Sequence, residues 1–81
     1  MYYVYVLRNA KGIMYKGYTN NLILRIKEHN LKRFASFTKN RGPWKLVYYE
    51  QYNIKEVATN RERFLKSGKG REFLKNIIIA G

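Results

Sequence analysis

The pattern of apolar residues along the chain predicts three β-strands. Residues 2–7 combine aromatic and branched aliphatic side chains without a break, which is typical of a strand. Asn9–Gly12 has the composition of a turn, and residues 13–18 follow as a second strand. Residues 46–49 predict a third. The first two strands should therefore form a hairpin.

The register of this hairpin decides whether Tyr5 and Tyr15 can act together. They lie on one face of the sheet only if paired residue numbers sum to an even number, which a three- or five-residue loop gives. A four-residue loop would place the two tyrosines on opposite faces.

A helix is predicted directly after the hairpin. Thr19, Asn20 and Asn21 are typical N-terminal capping residues, and the helix runs from Leu22 to about residue 31. One face of it mixes two apolar residues with two cationic or titratable ones at helical spacing. These residues are Leu22, Arg25, Ile26 and His29.

Two more helices are predicted in the second half of the chain. The first runs from residue 54 to about 67, with an apolar stripe formed by Val57, Ala58, Phe64 and Leu65. Ser67–Gly70 is typical of a glycine cap that ends a helix. The next helix, residues 71–79, should bury Phe73, Leu74, Ile77 and Ile78. The order ββα-loop-βαα predicts an α+β fold in a single domain, residues 1–81.

The charge of the chain favours a polyanionic partner. It has 17 Lys and Arg against 5 Glu, a formal net charge of +12. Such a domain attracts nucleic acid by counterion release, although a basic surface on a ribosomal or chaperone-like protein would explain the charge as well. There is no cysteine and no apolar run of membrane-spanning length. We therefore expect a soluble cytoplasmic protein without a membrane partner.

The small number of carboxylates excludes several kinds of catalytic site. The chain has no Asp, and its Glu residues are only Glu28, Glu50, Glu56, Glu62 and Glu72. The chain can therefore hardly build the carboxylate cluster of a two-metal nuclease, and an aspartic dyad or a Ser-His-Asp triad is excluded. Phosphoryl chemistry here has to rely on few carboxylates and many cations.

Three residues stand out as candidates for that chemistry. Glu62 lies on or beside the apolar stripe of the second helix, where a carboxylate needs a partner, a metal or a catalytic role. An ion pair with Arg61, Lys66 or Arg25 is the structural alternative. Arg25 and His29 lie one turn apart on one helix face, suited to a phosphate contact and a proton carrier. A packed histidine at a helix end is the alternative for His29.

The order of these residues resembles that of the GIY-YIG nuclease family. The resemblance rests on Tyr3-Val4-Tyr5, on Tyr15-Lys16-Gly17 ten residues later, and on the helical residues that follow. Those are Asn21, Leu22, Arg25, His29, Asn30, Arg61, Glu62, Leu65 and Lys66. The resemblance covers residues 2–66. It is strongest for the small stand-alone bacterial members of the family, which are relatives of the excision-repair nuclease subunit used in DNA repair.

The resemblance implies a fold, an activity and a set of site residues. The fold is a small three-stranded antiparallel β-sheet flanked by helices, and the activity is hydrolysis of DNA phosphodiester bonds with one divalent ion, Mg²⁺ or Mn²⁺. Glu62 matches the metal-binding glutamate and Arg25 the arginine that contacts the scissile phosphate. Tyr5 and Tyr15 match the paired tyrosines, one of them a general base, and His29 a histidine found in many members.

Several positions depart from the family pattern. The triplets read Tyr-Val-Tyr and Tyr-Lys-Gly, and Tyr18 stands where the repair nucleases carry a lysine. Asn76 is a candidate for an asparagine that some relatives use downstream of the glutamate. The family often adds a DNA-recognition domain, which these residues do not include, so we expect little intrinsic sequence specificity.

Nucleic-acid contacts are predicted at basic side chains around the site and in the loop over residues 32–45. The basic residues predicted to make these contacts are Lys16, Lys39, Arg41, Lys45, Lys66, Lys69 and Arg71. Phe34, Phe37 and Trp44 in that loop suit base stacking, with a core position as the alternative for Trp44.

The sequence thus predicts a metal-dependent DNA endonuclease. The first alternative is a catalytically weak or silent domain of the same fold that only binds nucleic acid, and the second is a ribosome-associated structural protein. The form of the DNA, whether duplex, branched or damaged, stays open, as do RNA as a substrate and the oligomeric state.

Overall fold

The computed structural model describes residues 1–31 and 41–79, and this part of the chain has the predicted α+β order. The strands are β1 (Tyr2–Arg8), β2 (Met14–Thr19) and β3 (Lys45–Tyr52). The helices are α1 (Leu22–Asn30), α2 (Lys55–Leu65) and α3 (Gly68–Leu74), and a π-helical segment, Lys75–Ile79, follows α3. None of these helices is long and apolar enough to span a bilayer.

The strands form one antiparallel sheet in the order β2-β1-β3, so β2 and β3 are its edges. In the hairpin, Tyr5 pairs with Gly17 and Leu7 with Tyr15, which is the even-sum register. The loop is residues 9–13, closed by the Asn9 side-chain oxygen, which accepts hydrogen bonds from the N–H groups of Lys11 and Ile13 (3.1 and 2.9 Å). Tyr5 and Tyr15 therefore lie on the same face.

Helix α1 covers that face of the sheet. Asn21 caps the helix as predicted, because its side chain accepts a hydrogen bond from the Leu24 N–H (3.1 Å). Tyr5, Leu7 and Trp44 are buried here against half-buried neighbours from β2, α1 and β3. Those neighbours are Tyr15, Leu22, Ile26 and Leu46.

Trp44 belongs to this core and is only 4% exposed. The side chain of Asn30, at the end of α1, accepts a hydrogen bond from the Trp44 N–H (2.6 Å) and donates one to its carbonyl (3.0 Å). Base stacking by Trp44 is therefore wrong, since the ring is needed inside the fold. Phe34 and Phe37, the other aromatic residues of that loop, lie outside the described residues.

Helices α2 and α3 cover the opposite face. Val4 and Val6 of β1 pack with buried Ala58, Leu65 and Leu74. Two predicted core positions are wrong, because Val57 and Ile77 are 44% and 42% exposed. Val57 lies about 100° around α2 from the buried Ala58. The π-helical turn changes the angular spacing of the residues that follow α3, and this moves Ile77 outward.

The segment Ser67–Gly70 begins a helix instead of ending one, which corrects the predicted glycine cap. The Ser67 hydroxyl accepts a hydrogen bond from the Gly70 N–H (3.2 Å), so α3 starts at Gly68 and not at residue 71. Gly70 is required for close packing, because a Cβ there would collide with the Phe64 carbonyl oxygen and the Leu65 Cα. α3 can therefore pack directly against the end of α2.

Glu50, in β3, has a structural role beneath α2. Both of its carboxylate oxygens accept hydrogen bonds from the Arg61 guanidinium (2.8 and 3.0 Å). The hydroxyls of Tyr48 and Tyr52 donate to the same carboxylate. Burial alone would raise the pKa of Glu50, but the hydrogen bonds from Arg61 and the two tyrosines outweigh it and lower that pKa.

His29 is fully buried between α1 and the sheet. Burial, and then the positive charge of Arg25, lower its pKa from 6.5 to about 4, although Glu28 acts in the opposite direction. The imidazole is therefore neutral at pH 7.

We predict that the free energy of unfolding falls as the pH drops from about 6.5 towards 4.5. The unfolded chain protonates His29 near pH 6.5 and the folded chain only near pH 4, so the unfolded state binds more protons between these values. The slope can reach about 1.4 kcal/mol per pH unit. Urea titrations at closely spaced pH values measure it, and His29→Gln should flatten it. Glu50, whose pKa is lowered from 4.5, adds a slope of the same sign near the lower end of this range, and it does so in both proteins, so the difference between them reports His29. Equal slopes in both proteins would contradict the burial of His29 as a neutral imidazole.

We predict that Gly70→Ala destabilises the fold and Gly68→Ala does not. The added methyl group at position 70 overlaps backbone atoms of α2, and overpacking of this kind costs roughly 1–3 kcal/mol or more. At position 68 the nearest atom is the Arg71 Nη2 at 3.9 Å, and alanine gains up to about 1 kcal/mol in helix propensity. Urea denaturation followed by Trp44 fluorescence compares the two variants. Equal stabilities would show that α3 does not pack this closely on α2.

Candidate functional site

A pocket of about 440 Å³ opens at the β2 edge of the sheet. Its lining includes Tyr5, Tyr15, Arg25 and Glu62, from β1, β2, α1 and α2 respectively. Four of the five residues that the sequence singled out as catalytic therefore meet at one surface. The fifth, His29, lies directly behind Tyr5.

The even-sum register and Gly17 together position Tyr5. The Tyr5 and Tyr15 ring centroids are 6.4 Å apart on the same face. The Tyr5 side chain crosses its cross-strand partner Gly17 so closely that a Cβ at position 17 would lie 2.6 Å from the Tyr5 hydroxyl. Gly17, in the second triplet, is therefore needed because any larger residue would block the side chain of Tyr5, in the first triplet.

His29 and the two tyrosines form a compact group. The Tyr5 hydroxyl and the His29 Nε2 are 2.9 Å apart, and the Tyr15 ring centroid is 4.8 Å from that of His29. Burial, and then Tyr15, raise the pKa of Tyr5 far above its ordinary value of 10, although Arg25 lowers it. Burial, and then Glu62, raise the pKa of Tyr15, again opposed by Arg25. Both phenols are therefore neutral at pH 7.

The two tyrosines differ in their access to solvent. Tyr5 is fully buried, whereas Tyr15 is only partly so. A small molecule or a phosphate in the pocket can therefore reach the Tyr15 side chain more readily than that of Tyr5.

Arg25 supplies positive charge to the pocket from α1. Its Nε lies 3.2 Å from the Glu28 carboxylate one turn later, and the two side chains are 24% and 37% exposed. An ion pair that is partly exposed contributes little to stability. Arg25 also influences the pKa values of Tyr5, Tyr15 and His29, which places it at the electrostatic centre of the group.

Glu62 provides the carboxylate of the pocket. Its side chain is 18% exposed and its Oε1 lies 3.5 Å from the Lys66 Nζ, so Lys66 is the partner among the three considered from the sequence. Arg61 is bound to Glu50 instead. No group of three or more His, Cys, Asp or Glu side chains in the described residues could form a metal cluster. The donor set therefore fits a hydrated Mg²⁺, which commonly binds through one or two carboxylates and keeps several waters.

Five further lining residues were missed in the sequence. Tyr2, Tyr18, Thr19, Asn20 and Lys55 complete the wall of the pocket. A signal existed for Lys55, because it precedes Glu62 by seven residues and two helical turns bring such residues to the same side of a helix. Lys66 follows Glu62 by four residues and shares that side.

The other predicted basic contacts do not line this pocket. Lys16 and Arg71 line a second cavity, Lys45 and Arg41 are exposed at the far end of the sheet, and Lys69 is exposed on α3. Asn76 is exposed in the π-helical segment and does not line the pocket either. Lys39 lies outside the described residues. Their contacts with nucleic acid stay predictions.

Comparison with known proteins identifies the family of this chain. The family model described as the GIY-YIG catalytic domain matches residues 1–76. A UPF0213 protein of Clostridium perfringens is 47% identical over 66 residues, which cover 82% of this chain and 71% of that protein. A UPF0213 protein of Staphylococcus haemolyticus is 38% identical over 76 residues, which cover 94% and 93%.

A solved structure shares the fold. The solution NMR structure of a UPF0213 protein from Bacillus halodurans superimposes with a TM-score of 0.58 at 36% sequence identity, covering 95% of this chain and 85% of that one. With a family model that matches nearly the whole chain and relatives this similar, the chain belongs to the GIY-YIG family and is similar to its UPF0213 proteins.

Proposed function

We propose that this protein is a divalent-metal-dependent endonuclease that hydrolyses phosphodiester bonds in DNA with little intrinsic sequence specificity. The observation that carries the proposal is the convergence of Tyr5, Tyr15, Arg25 and Glu62 on one pocket, with His29 behind it. Membership of the GIY-YIG family supports the nuclease class. The net charge of +12 supports a polyanionic substrate.

Glu62 would hold the ion, Mg²⁺ or Mn²⁺, at the rim of the pocket. Its carboxylate is partly exposed, and its ion-pair partner among the described residues is a lysine that is itself 52% exposed, so a cation can compete for it. When bound, such an ion stabilises negative charge on a phosphate and lowers the pKa of a coordinated water.

Arg25 would bind the non-bridging oxygens of the scissile phosphate. A guanidinium stays charged and donates two parallel hydrogen bonds, a geometry that matches a phosphate. Its Nε donates a partly exposed hydrogen bond to Glu28, and this contact orients the side chain. Positive charge fixed there before the reaction stabilises the additional negative charge that develops in the transition state.

Tyr15 would orient the attacking water through its phenolic oxygen, and after losing its own proton to solvent it would accept the proton of that water as the phenolate. It is the partly exposed tyrosine of the pair, and Arg25 favours loss of the phenolic proton because it lowers the raised pKa of Tyr15. Tyr5 and His29 would act as positioning residues. Their hydrogen bond fixes the ring of Tyr5, and the neutral imidazole packs against Tyr15 without adding a second positive charge.

We predict that Glu62→Gln abolishes metal-dependent nicking of plasmid DNA. Loss of the charged ligand removes several kcal/mol of transition-state stabilisation, which corresponds to a decrease of about 1,000-fold. Glu56→Gln is the matched control, because it makes the same change at an exposed position of the same helix. Nicking should stay at the wild-type rate in the control. Equal activity of Glu62→Gln and wild type would remove Glu62 as the metal ligand, and no nicking by the wild type with either ion would favour the binding-only alternative.

We predict that Arg25→Ala lowers the cleavage rate by about 100- to 1,000-fold, the usual effect of removing a charge-stabilising donor. The fold should lose less than about 1 kcal/mol, because the ion pair with Glu28 is partly exposed. Lys27→Ala, an exposed cation on the same helix, should cleave at the wild-type rate and controls for loss of one positive charge. Single-turnover cleavage together with urea denaturation separates the two effects. A rate within about threefold of wild type would contradict the assignment.

A further inference from the structure

A second, smaller cavity lies on the other side of strand β2 from Tyr15. It has a volume of about 290 Å³ and lies between β2 and α3. Its lining consists of Gly12, Met14, Lys16, Arg71, Leu74 and Lys75. Side chains alternate along a strand, so Tyr15 and the adjacent Lys16 face opposite sides of the same edge. We name this cavity the cationic groove.

The cationic groove gathers positive charge without a carboxylate among its lining residues in the described part of the chain. Lys16 is only partly exposed. Burial, then Arg71 and then Lys66, lower the pKa of Lys16, which means that these cations are close enough to repel one another. Cations that converge in this way are stabilised by a bound anion, and Arg and Lys together are typical of phosphate sites.

The groove is connected to the candidate active site through Lys66. On one side, the Lys66 ammonium lies 3.5 Å from the Glu62 carboxylate, which lines the larger pocket. On the other, the Arg71 Nη1 donates a hydrogen bond to the Lys66 carbonyl oxygen (3.1 Å). Positive charge therefore continues from the rim of the pocket, past the end of α2, into the groove.

We propose that the cationic groove binds a backbone phosphate of the nucleic acid on one side of the scissile bond, through Lys16 and Arg71. Its place next to the scissile bond rests on the function proposed above, whereas binding of the phosphate does not. A polymer that bends around the β2 edge places one phosphate near Glu62 and a neighbouring part of its backbone in the groove. The groove thereby fixes the path along which the strand crosses the site.

Equilibrium binding without metal tests the groove separately from catalysis. All proteins carry Glu62→Gln and are titrated, in EDTA, into a short fluorescein-labelled DNA duplex at several salt concentrations. The test variant adds Lys16→Gln and Arg71→Gln. The matched control adds Lys27→Gln and Arg63→Gln, which remove the same two charges at exposed positions of α1 and α2 that line neither cavity.

The test variant should reduce the slope of log K against log salt by about 0.9 for one lost phosphate contact and about 1.8 for two. The control should keep the slope of its parent. An unchanged slope in the test variant, an equal reduction in both variants, or no binding by the parent would each overturn the proposal. Arg71→Gln alone repeats the test without altering the partly buried Lys16, so it keeps the proposal falsifiable if the double variant does not fold.

Cleavage assays show which proposal fails. If the protein with Glu62 intact does not cleave DNA but the groove variants lower the slope, the proposed function fails and the groove stands. If that protein cleaves DNA and the slopes are equal, the groove fails and the proposed function stands.

Discussion

The candidate site depends on one packing constraint, the path of Tyr5 across Gly17. Tyr5 is fully buried, and its hydroxyl ends 2.9 Å from the His29 Nε2 on α1. This path exists only because Gly17 has no side chain and because the register puts Gly17 opposite Tyr5. A slip of one residue would turn Tyr15 towards α2 and α3 and separate it from Arg25. The hairpin register, the packing of α1 on the sheet and the grouping of the two tyrosines therefore all depend on Gly17 lying opposite Tyr5.

The five glutamates of the chain have different surroundings, and Glu62 is the one that lines the pocket. Glu50 is fully used by Arg61 and two tyrosine hydroxyls, which stabilises the contact between α2 and β3. Glu28 is paired with Arg25 on α1. Glu62 lies 3.5 Å from an exposed lysine, a contact that contributes little to stability. The other two glutamates are exposed on α2 and α3 and do not line the pocket, so Glu62 supplies its carboxylate.

The sequence predicted those parts of the structure that depend on local patterns. The hairpin follows from its aromatic and branched side chains, α1 from the cap at Asn21 and α2 from its apolar stripe, so the four elements that carry the site residues were placed correctly. Two kinds of information were missing. In a sequence, a glycine required for close packing cannot be distinguished from a glycine that ends a helix. For this reason Gly70 was assigned to a helix cap, although it lies in α3. The contribution of Lys55 depends on where α2 crosses the edge of the sheet, and this is set by packing over long sequence distances.

The location of the pocket at an edge strand has a consequence for the substrate. The lining of the pocket comes from both sides of β2, since Tyr15 and Tyr18 project from opposite faces of that strand. A site enclosed on one face of a sheet suits a small molecule, whereas a site that continues around an edge can accept a polymer that enters on one face and leaves on the other. The phosphate backbone is such a polymer, and Lys66 and Lys16 continue the positive charge in the direction that it would take. The edge position of β2 therefore connects the chemistry at Glu62 with the binding of nucleic acid beyond it.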